Sequence, residues 1–223
     1  MTPALSHIRA WIFDLDNTLY PASADLFGLM DVRMTAYVAR TLGIDDLGEA
    51  RRIQKGYFQA HGTTMAGLML EHDVDPHHYL ADVHDIDLDV LAEDARLARL
   101  IARLPGRKLI FTNGDAPYAE RVLAKLGLSK TFEAIHDIHA SAYKPKPHEA
   151  SYAAMVAGLG VDPATSVFVE DMARNLKPAK TLGMTTVWLD NGSEQGHDAD
   201  RSFVDHHITD LAEWLHSLLG DDQ

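Results

Sequence analysis

Two aspartates one residue apart, Asp14 and Asp16, follow the apolar run Ile8 to Phe13 and precede Asn17 and Thr18. Carboxylates at this spacing can divide one job. One attacks as a nucleophile; the other protonates a leaving group and later activates water. The spacing alone says little in an acidic chain. It recurs at Asp73/Asp75, Asp85/Asp87, Asp87/Asp89 and Asp198/Asp200, none of which follows a buried strand, and those pairs read as solvated turns. What separates Asp14 and Asp16 is a second acidic pair, Glu170-Asp171, which also ends an apolar run. Like charges about 4 Å apart repel by roughly 4 kcal/mol at an effective dielectric near 20, so such a cluster needs a cation. The chain has no cysteine, and an all-oxygen ligand set favours a hard ion such as Mg²⁺. Lys144, in Tyr-Lys-Pro-Lys-Pro, offers a fixed positive charge on a loop stiffened by proline. Thr112 and Asn113 add a hydroxyl and an amide, and Gly114 lets backbone N–H groups approach an anion. Together these parts suit a phosphoryl group beside a nucleophilic carboxylate, a chemistry that needs positioning and electrostatic stabilisation.

The elements that must position these residues are legible. Ile8 to Phe13, Lys108 to Thr112, Ser166 to Glu170 and Thr185 to Leu189 read as buried parallel strands, with Ala134 to Ile138 as a weaker fifth. Helical patterns lie between them, at Ala116 to Leu126, His148 to Gly158 and Ala173 to Leu182, with a last helix from Leu211 to Leu219. The alternation predicts an α/β fold, a Rossmann-like parallel sheet with helices on both faces. Ligands of such sheets bind at the carboxyl ends of the strands, where every polar group named above falls. The segment from Thr18 to Thr112 is far longer than the roughly dozen residues a crossover needs, and it carries its own helical periodicity. Residues 21–100 are expected to form an inserted all-helical cap, with 1–20 and 101–223 as the core. Asp190 to Asp205 reads as a surface loop.

Composition narrows the class. The 223 residues include 46% hydrophobic and 24% charged, which excludes a disordered or collagenous chain. With 20 basic against 33 acidic residues the net charge is −13, which disfavours nucleic-acid polymers and anionic membranes as partners. There is no signal-peptide pattern and no run of 18 apolar residues, so a cytoplasmic protein is expected, a monomer or dimer acting on a phosphorylated small molecule.

These residues resemble the haloacid dehalogenase-like superfamily in its phosphatase branch. Four motifs match in order: DxDxT at Asp14 to Thr18, the strand ending in Thr112-Asn113, Lys144, and the acidic pair Glu170-Asp171. The resemblance implies that Asp14 forms a phosphoaspartyl intermediate and that Asp16 is the general acid/base. It implies Mg²⁺ held by Asp14, the backbone carbonyl of Asp16, and Asp171, with Thr112 and Lys144 on the phosphoryl oxygens and Glu170, Asn175 and Thr18 in support. Dehalogenases of the superfamily lack an acid where this chain has Asp16, so the resemblance favours phosphate chemistry over carbon–halogen cleavage. The stretches DLDNTLYP, Arg33 to Tyr37, Lys55 to Phe58, His61 to Thr64 and Val83 to Asp87 are similar to the pyrimidine 5′-nucleotidase group. In that group cap residues read the nucleotide, which makes Tyr57, Thr63, Thr64 and His84 candidates for substrate contact. The Glu-Asp form of the acidic pair also occurs in sugar-phosphate phosphatases and phosphomutases of the superfamily, which are the alternative. A phospho-acceptor binding module without turnover is a distant third.

Plainer readings compete in the cap. Thr63 and Thr64 can simply cap the helix that follows, and Tyr57 suits packing. The pairs His77-His78 and His206-His207 cannot chelate easily, because neighbouring side chains diverge in both helix and strand, and they read as surface or packing histidines.

Overall fold

The computed structural model describes residues 5–193 and 200–220. Gly196 and Asp198, placed by the sequence in a surface loop, lie outside the described residues. In chain order the elements are β1 (Ala10–Phe13), α1 (Leu26–Leu42), α2 (Leu47–His61), α3 (Thr64–His72), α4 (Pro76–Val83), α5 (Ala95–Arg103), β2 (Arg107–Phe111) and α6 (Ala116–Lys125). There follow β3 (Ala134–His136), α7 (Glu149–Leu159), β4 (Ser166–Glu170), α8 (Ala173–Thr181), β5 (Thr185–Leu189), β6 (His206–Ile208) and α9 (Leu211–Leu219). The fold is α/β: a parallel six-stranded sheet of order β3-β2-β1-β4-β5-β6, with helices in the connections. Among the described residues no helix is long and apolar enough to cross a membrane.

β1 lies between β2 and β4, so the chain builds outward on one side of β1 and then returns to build on the other. That reversal is the switch point at which open α/β sheets bind ligands. The register puts Phe13 beside Ile110 on one flank and Val169 on the other. The residues just past these strands therefore emerge together. Apolar side chains of the strands fill one continuous core, with Ile12, Leu109, Phe111 and Phe168 packed against Tyr152 and Met155 of α7 and Leu176 of α8. β6 is an addition to the expected strands: His206–Ile208 is too short and too rich in histidine to show a strand pattern, yet it pairs with β5 in register, Trp188 facing His207.

The chain divides into two compact units, Met1–Ala24 with Leu91–Gln223, and Asp25–Val90. Residues 91–100, expected within the cap, belong to the larger unit. The stripe Leu97, Leu100 and Ile101 of α5 is buried, α5 contacts α9, and Arg96 reaches Glu213 at 2.7 Å. Amphipathic periodicity marks such a helix but does not say which core its apolar face joins.

The smaller unit, α1 to α4, has its own polar centre. Asp31 of α1 is buried and meets Lys55 Nζ at 2.6 Å, Gln54 Nε2 at 2.7 Å and Arg51 at 2.8 Å, and Thr35 donates to Gln54 at 2.6 Å. α2 and α3 approach closely at Gly67, where an added Cβ would lie 2.5 Å from Cγ of Tyr57. An aromatic ring root cannot yield cheaply, so Gly67→Ala is expected to destabilise the protein by about 1–3 kcal/mol, as overpacking does. Urea unfolding checks this; an unchanged midpoint would mean that the two helices slide apart without loss.

Candidate active site

Asp14 leaves β1 with its N–H donated to Val169 O of β4 at 2.9 Å, so the sheet itself aims its side chain. Asn17 takes a left-handed backbone conformation (φ 58°), which Asn tolerates better than most residues, and the chain turns sharply there. The turn brings Thr18 Oγ1 within 3.1 Å of Asp14 Oδ2. Glu170 ends β4 and Thr112 follows β2, both buried. One carboxylate oxygen from each of Asp14, Glu170 and Asp171 lies within 4.8 Å of the others.

The cation among them is Lys146. Its Nζ sits 2.6 Å from Asp14 Oδ1, 2.7 Å from Glu170 Oε2 and 2.9 Å from the carbonyl of Phe111. It is buried, with Nζ over the rings of Phe111 and Phe168. This corrects the assignment of that role to Lys144, which is exposed. Both lysines precede a proline, so composition cannot separate them. The backbone does: Ala142 and Tyr143 have positive φ (50° and 60°), and the resulting turn carries Lys144 past the cluster. Asn113 completes the selection. Its Oδ1 accepts the Lys146 N–H at 2.8 Å and its Nδ2 reaches the Lys146 carbonyl at 3.4 Å, so it braces the lysine loop rather than standing ready for a phosphoryl oxygen. The Thr112 hydroxyl accepts the Gly114 N–H at 3.0 Å.

Asp16 is half-buried, and its Oδ1 receives Tyr20 Oη at 2.6 Å and Tyr118 Oη at 2.8 Å. Burial and the nearby Asp16 carboxylate push both phenols well above the usual tyrosine range, which keeps them protonated as donors. Neither tyrosine was singled out in the sequence. The signal for Tyr20 was its place four residues after Asp16, one turn onward; Tyr118 is remote in sequence and left no signal.

Three buried carboxylates beside one ammonium make a site short of positive charge. Burial, then Glu170, raise the Asp14 carboxyl to about 7 despite Lys146. Burial raises Glu170 to about 7, and burial with Asp14 raises Asp171 to about 6. Asn175 at the start of α8 adds a buried Oδ1 with no hydrogen-bond partner among the described residues, an acceptor that a hydrated ion would satisfy. The residues thus fit a hard divalent cation. Asp14 and Asp171 would hold it directly, with the Asp16 carbonyl. Glu170 spends Oε2 on Lys146 and Oε1 on the Met172 N–H, which suits support. Ser193 donates to Asp171 Oδ2 at 2.5 Å, a further brace that the loop composition did not reveal.

A stability consequence follows. Each of these acids binds its proton more tightly folded than unfolded, so between about pH 4 and 7 the folded state holds more protons and stability falls as pH rises. In EDTA, wild type is expected to lose on the order of 2 kcal/mol more than Asp14→Asn between pH 5 and 8, and Mg²⁺ should restore the loss at pH 8. Thermal midpoints of both proteins at both pH values check this; parallel curves would contradict it.

The candidate cap residues are engaged within the smaller unit. Thr63 is the N-cap of α3 and accepts the Ala66 N–H at 3.0 Å, so its plainer reading prevails. Tyr57 is buried and its Oη meets His72 Nε2 at 2.6 Å. Thr64 is buried and donates to the Gln54 carbonyl at 3.3 Å, and His84, also buried, caps the end of α4.

Residues 8–183 match the family model described as haloacid dehalogenase-like hydrolase. The chain belongs to that family. It is 29% identical over 193 residues to Phosphate metabolism protein 8 of Saccharomyces cerevisiae, covering 79% of this chain and 60% of the yeast protein. It is 26% identical over 194 residues to (S)-2-haloacid dehalogenase of Xanthobacter autotrophicus, covering 80% of this chain and 73% of that one. Among solved structures, a HAD phosphatase from Thermococcus onnurineus superposes with a TM-score of 0.65 at 21% identity over 96% of this chain and 98% of that one. A predicted phosphoglycolate phosphatase from Haemophilus somnus gives 0.61 at 18% identity, over 96% and 99%. At these identities the structural likeness is one of fold.

Proposed function

We propose that this hydrolase is a Mg²⁺-dependent phosphomonoester hydrolase working through a phosphoaspartyl intermediate on Asp14, with nucleoside 5′-monophosphates, pyrimidine ones foremost, as substrates. The observation that carries the phosphatase reading is Asp16, a second carboxylate held by two phenols two residues after Asp14. Phosphoryl transfer to Asp14 needs a proton donor for the leaving alkoxide and then a base for water. Displacement of a halide needs no donor. A bound Mg²⁺ would offset the charge that substrate phosphate adds to the carboxylates and polarise the phosphoryl group.

The chain's own residues would act as follows. Asp14, oriented by Thr18 and Lys146, attacks phosphorus as the P–O bond to the leaving group breaks. Asp16 gives that oxygen its proton. Asp16, now ionised, takes a proton from water, whose oxygen bonds to phosphorus as the Asp14–phosphoryl bond breaks. Lys146 and the Thr112 loop offset charge on the phosphoryl oxygens. The pyrimidine preference is supported by the sequence likeness of residues 14–21 and of the insertion to the pyrimidine 5′-nucleotidase group.

Phosphate release with Mg²⁺ from pyrimidine and purine monophosphates and sugar phosphates tests both levels. Turnover of UMP and CMP above the rest is expected. Broad release from sugar phosphates would keep the chemistry and discard the nucleotide preference, and recovery of an isomeric phosphate ester without free phosphate would indicate a phosphomutase instead.

A further inference from the structure

Both hydrogen bonds to the Asp16 side chain fall on the same oxygen. Tyr20 Oη and Tyr118 Oη reach Oδ1 at 2.6 and 2.8 Å, and among the described residues no hydrogen bond is made to Oδ2. Each carboxylate oxygen has two in-plane lone pairs. Two O–H donors therefore fill Oδ1, and a proton placed there would have to expel one of them. We propose that Tyr20 and Tyr118 form a clamp that assigns the two oxygens of Asp16 different tasks: Oδ1 is the anchored acceptor and Oδ2 is the atom that carries and delivers the proton. This deepens, and rests on, the phosphomonoesterase reading.

The clamp is built from two separate elements. Tyr20 stands one turn after Asp16 on the chain leaving β1. Tyr118 comes from the first turn of α6, where Asp115 caps the helix by accepting the Tyr118 N–H at 3.1 Å. Gly114 makes room for that ring: an added Cβ would lie 3.1 Å from Tyr118 Cδ1 and 3.4 Å from Thr112 Oγ1. Both phenols are buried, so water competes little for their O–H groups. When Oδ2–H passes its proton to the leaving oxygen, the electrons of the broken P–O bond stay with that oxygen. The negative charge left on Asp16 is met at once by two short O–H···O⁻ bonds, which strengthen as the charge forms. When water is later deprotonated by Oδ2, the same two bonds hold the acceptor in place. Tyr20 and Tyr118 are thus positioning residues that act through Asp16.

The test separates proton delivery from packing. Aryl phosphates of one size differ in need: p-nitrophenolate departs without a proton, phenolate gains from one. kcat/KM reads the steps up to phosphoenzyme formation, so it isolates the donor role. For Tyr118→Phe and for Tyr20→Phe/Tyr118→Phe, kcat/KM should fall about tenfold more on phenyl phosphate than on p-nitrophenyl phosphate, since general acid catalysis is worth more than that. Wild type should show a small difference between the two esters. Equal losses on both esters, or no loss on either, would overturn the proposal and leave the tyrosines as packing. Tyr20→Phe alone is the second variant where circular dichroism shows that Tyr118→Phe fails to fold. Wild type that releases phosphate from no ester, aryl or nucleotide, would overturn the phosphatase reading itself and this inference with it.

Discussion

Asp14→Asn is expected to lower phosphate release by on the order of 10⁴-fold or more, the loss typical of removing a covalent nucleophile. An amide oxygen is a poor nucleophile, and an Asn phosphorylated there could not be relieved by the same hydrolytic step. The fold should survive. Lys146 keeps Glu170 at 2.7 Å and the Phe111 carbonyl at 2.9 Å, and the substitution removes one of three crowded buried carboxylates. Loss of turnover with an unchanged or raised thermal midpoint in metal-free buffer is the expected pair of results. Retained turnover would show that Asp14 is not the group attacked.

The second large effect distinguishes two lysines two residues apart. Lys146→Ala removes the buried cation that touches Asp14 and Glu170 and leaves both carboxylates uncompensated. Breaking a buried ion pair from one side costs about 3–5 kcal/mol, and turnover should fall at least about 10³-fold with the loss of phosphoryl charge stabilisation. Lys146→Arg should not rescue, because a guanidinium does not fit the point contacts that a compact ammonium makes between two aromatic rings. Lys144→Ala should leave kcat/KM and the urea midpoint close to wild type. A reversed pattern would mean that the loop carrying these residues adopts another turn in the working enzyme. Urea unfolding and steady-state kinetics on the three variants decide it.

These two predictions also show where sequence reading succeeds and where it stops. The sheet was legible because apolar runs that end in polar residues have one physical explanation, a buried parallel strand with its carboxyl end open. Hence the sequence alone gathers Asp14, Thr112 and Glu170-Asp171 at one rim of the sheet. Lys146 was not legible, because the choice between it and Lys144 depends on two left-handed residues, Ala142 and Tyr143, that neither composition nor period foretells. Asn113 and Thr63 have side chains able to serve a ligand or the backbone, and backbone partners in three dimensions decided for the backbone in both cases. The expected cap boundary at residue 100 cuts through α5, whose apolar stripe packs toward α9, because a local helical pattern carries no address. Tyr118 is illegible for a related reason: its distance from Asp16 along the chain hides a hydrogen bond that only the pairing of β1 with β2 creates.

The central claim is that a phosphoryl group passes through Asp14. The Asp16→Asn variant tests it most directly, because p-nitrophenolate can leave without a proton while the water that must follow has lost its base. Mixed with p-nitrophenyl phosphate and Mg²⁺, quenched in acid and read by peptide mass, this variant should release about one p-nitrophenolate per site in a burst and carry one phosphoryl group on the peptide containing Asp14. No burst and an unmodified peptide, from a protein whose wild type releases phosphate steadily, would contradict the covalent route.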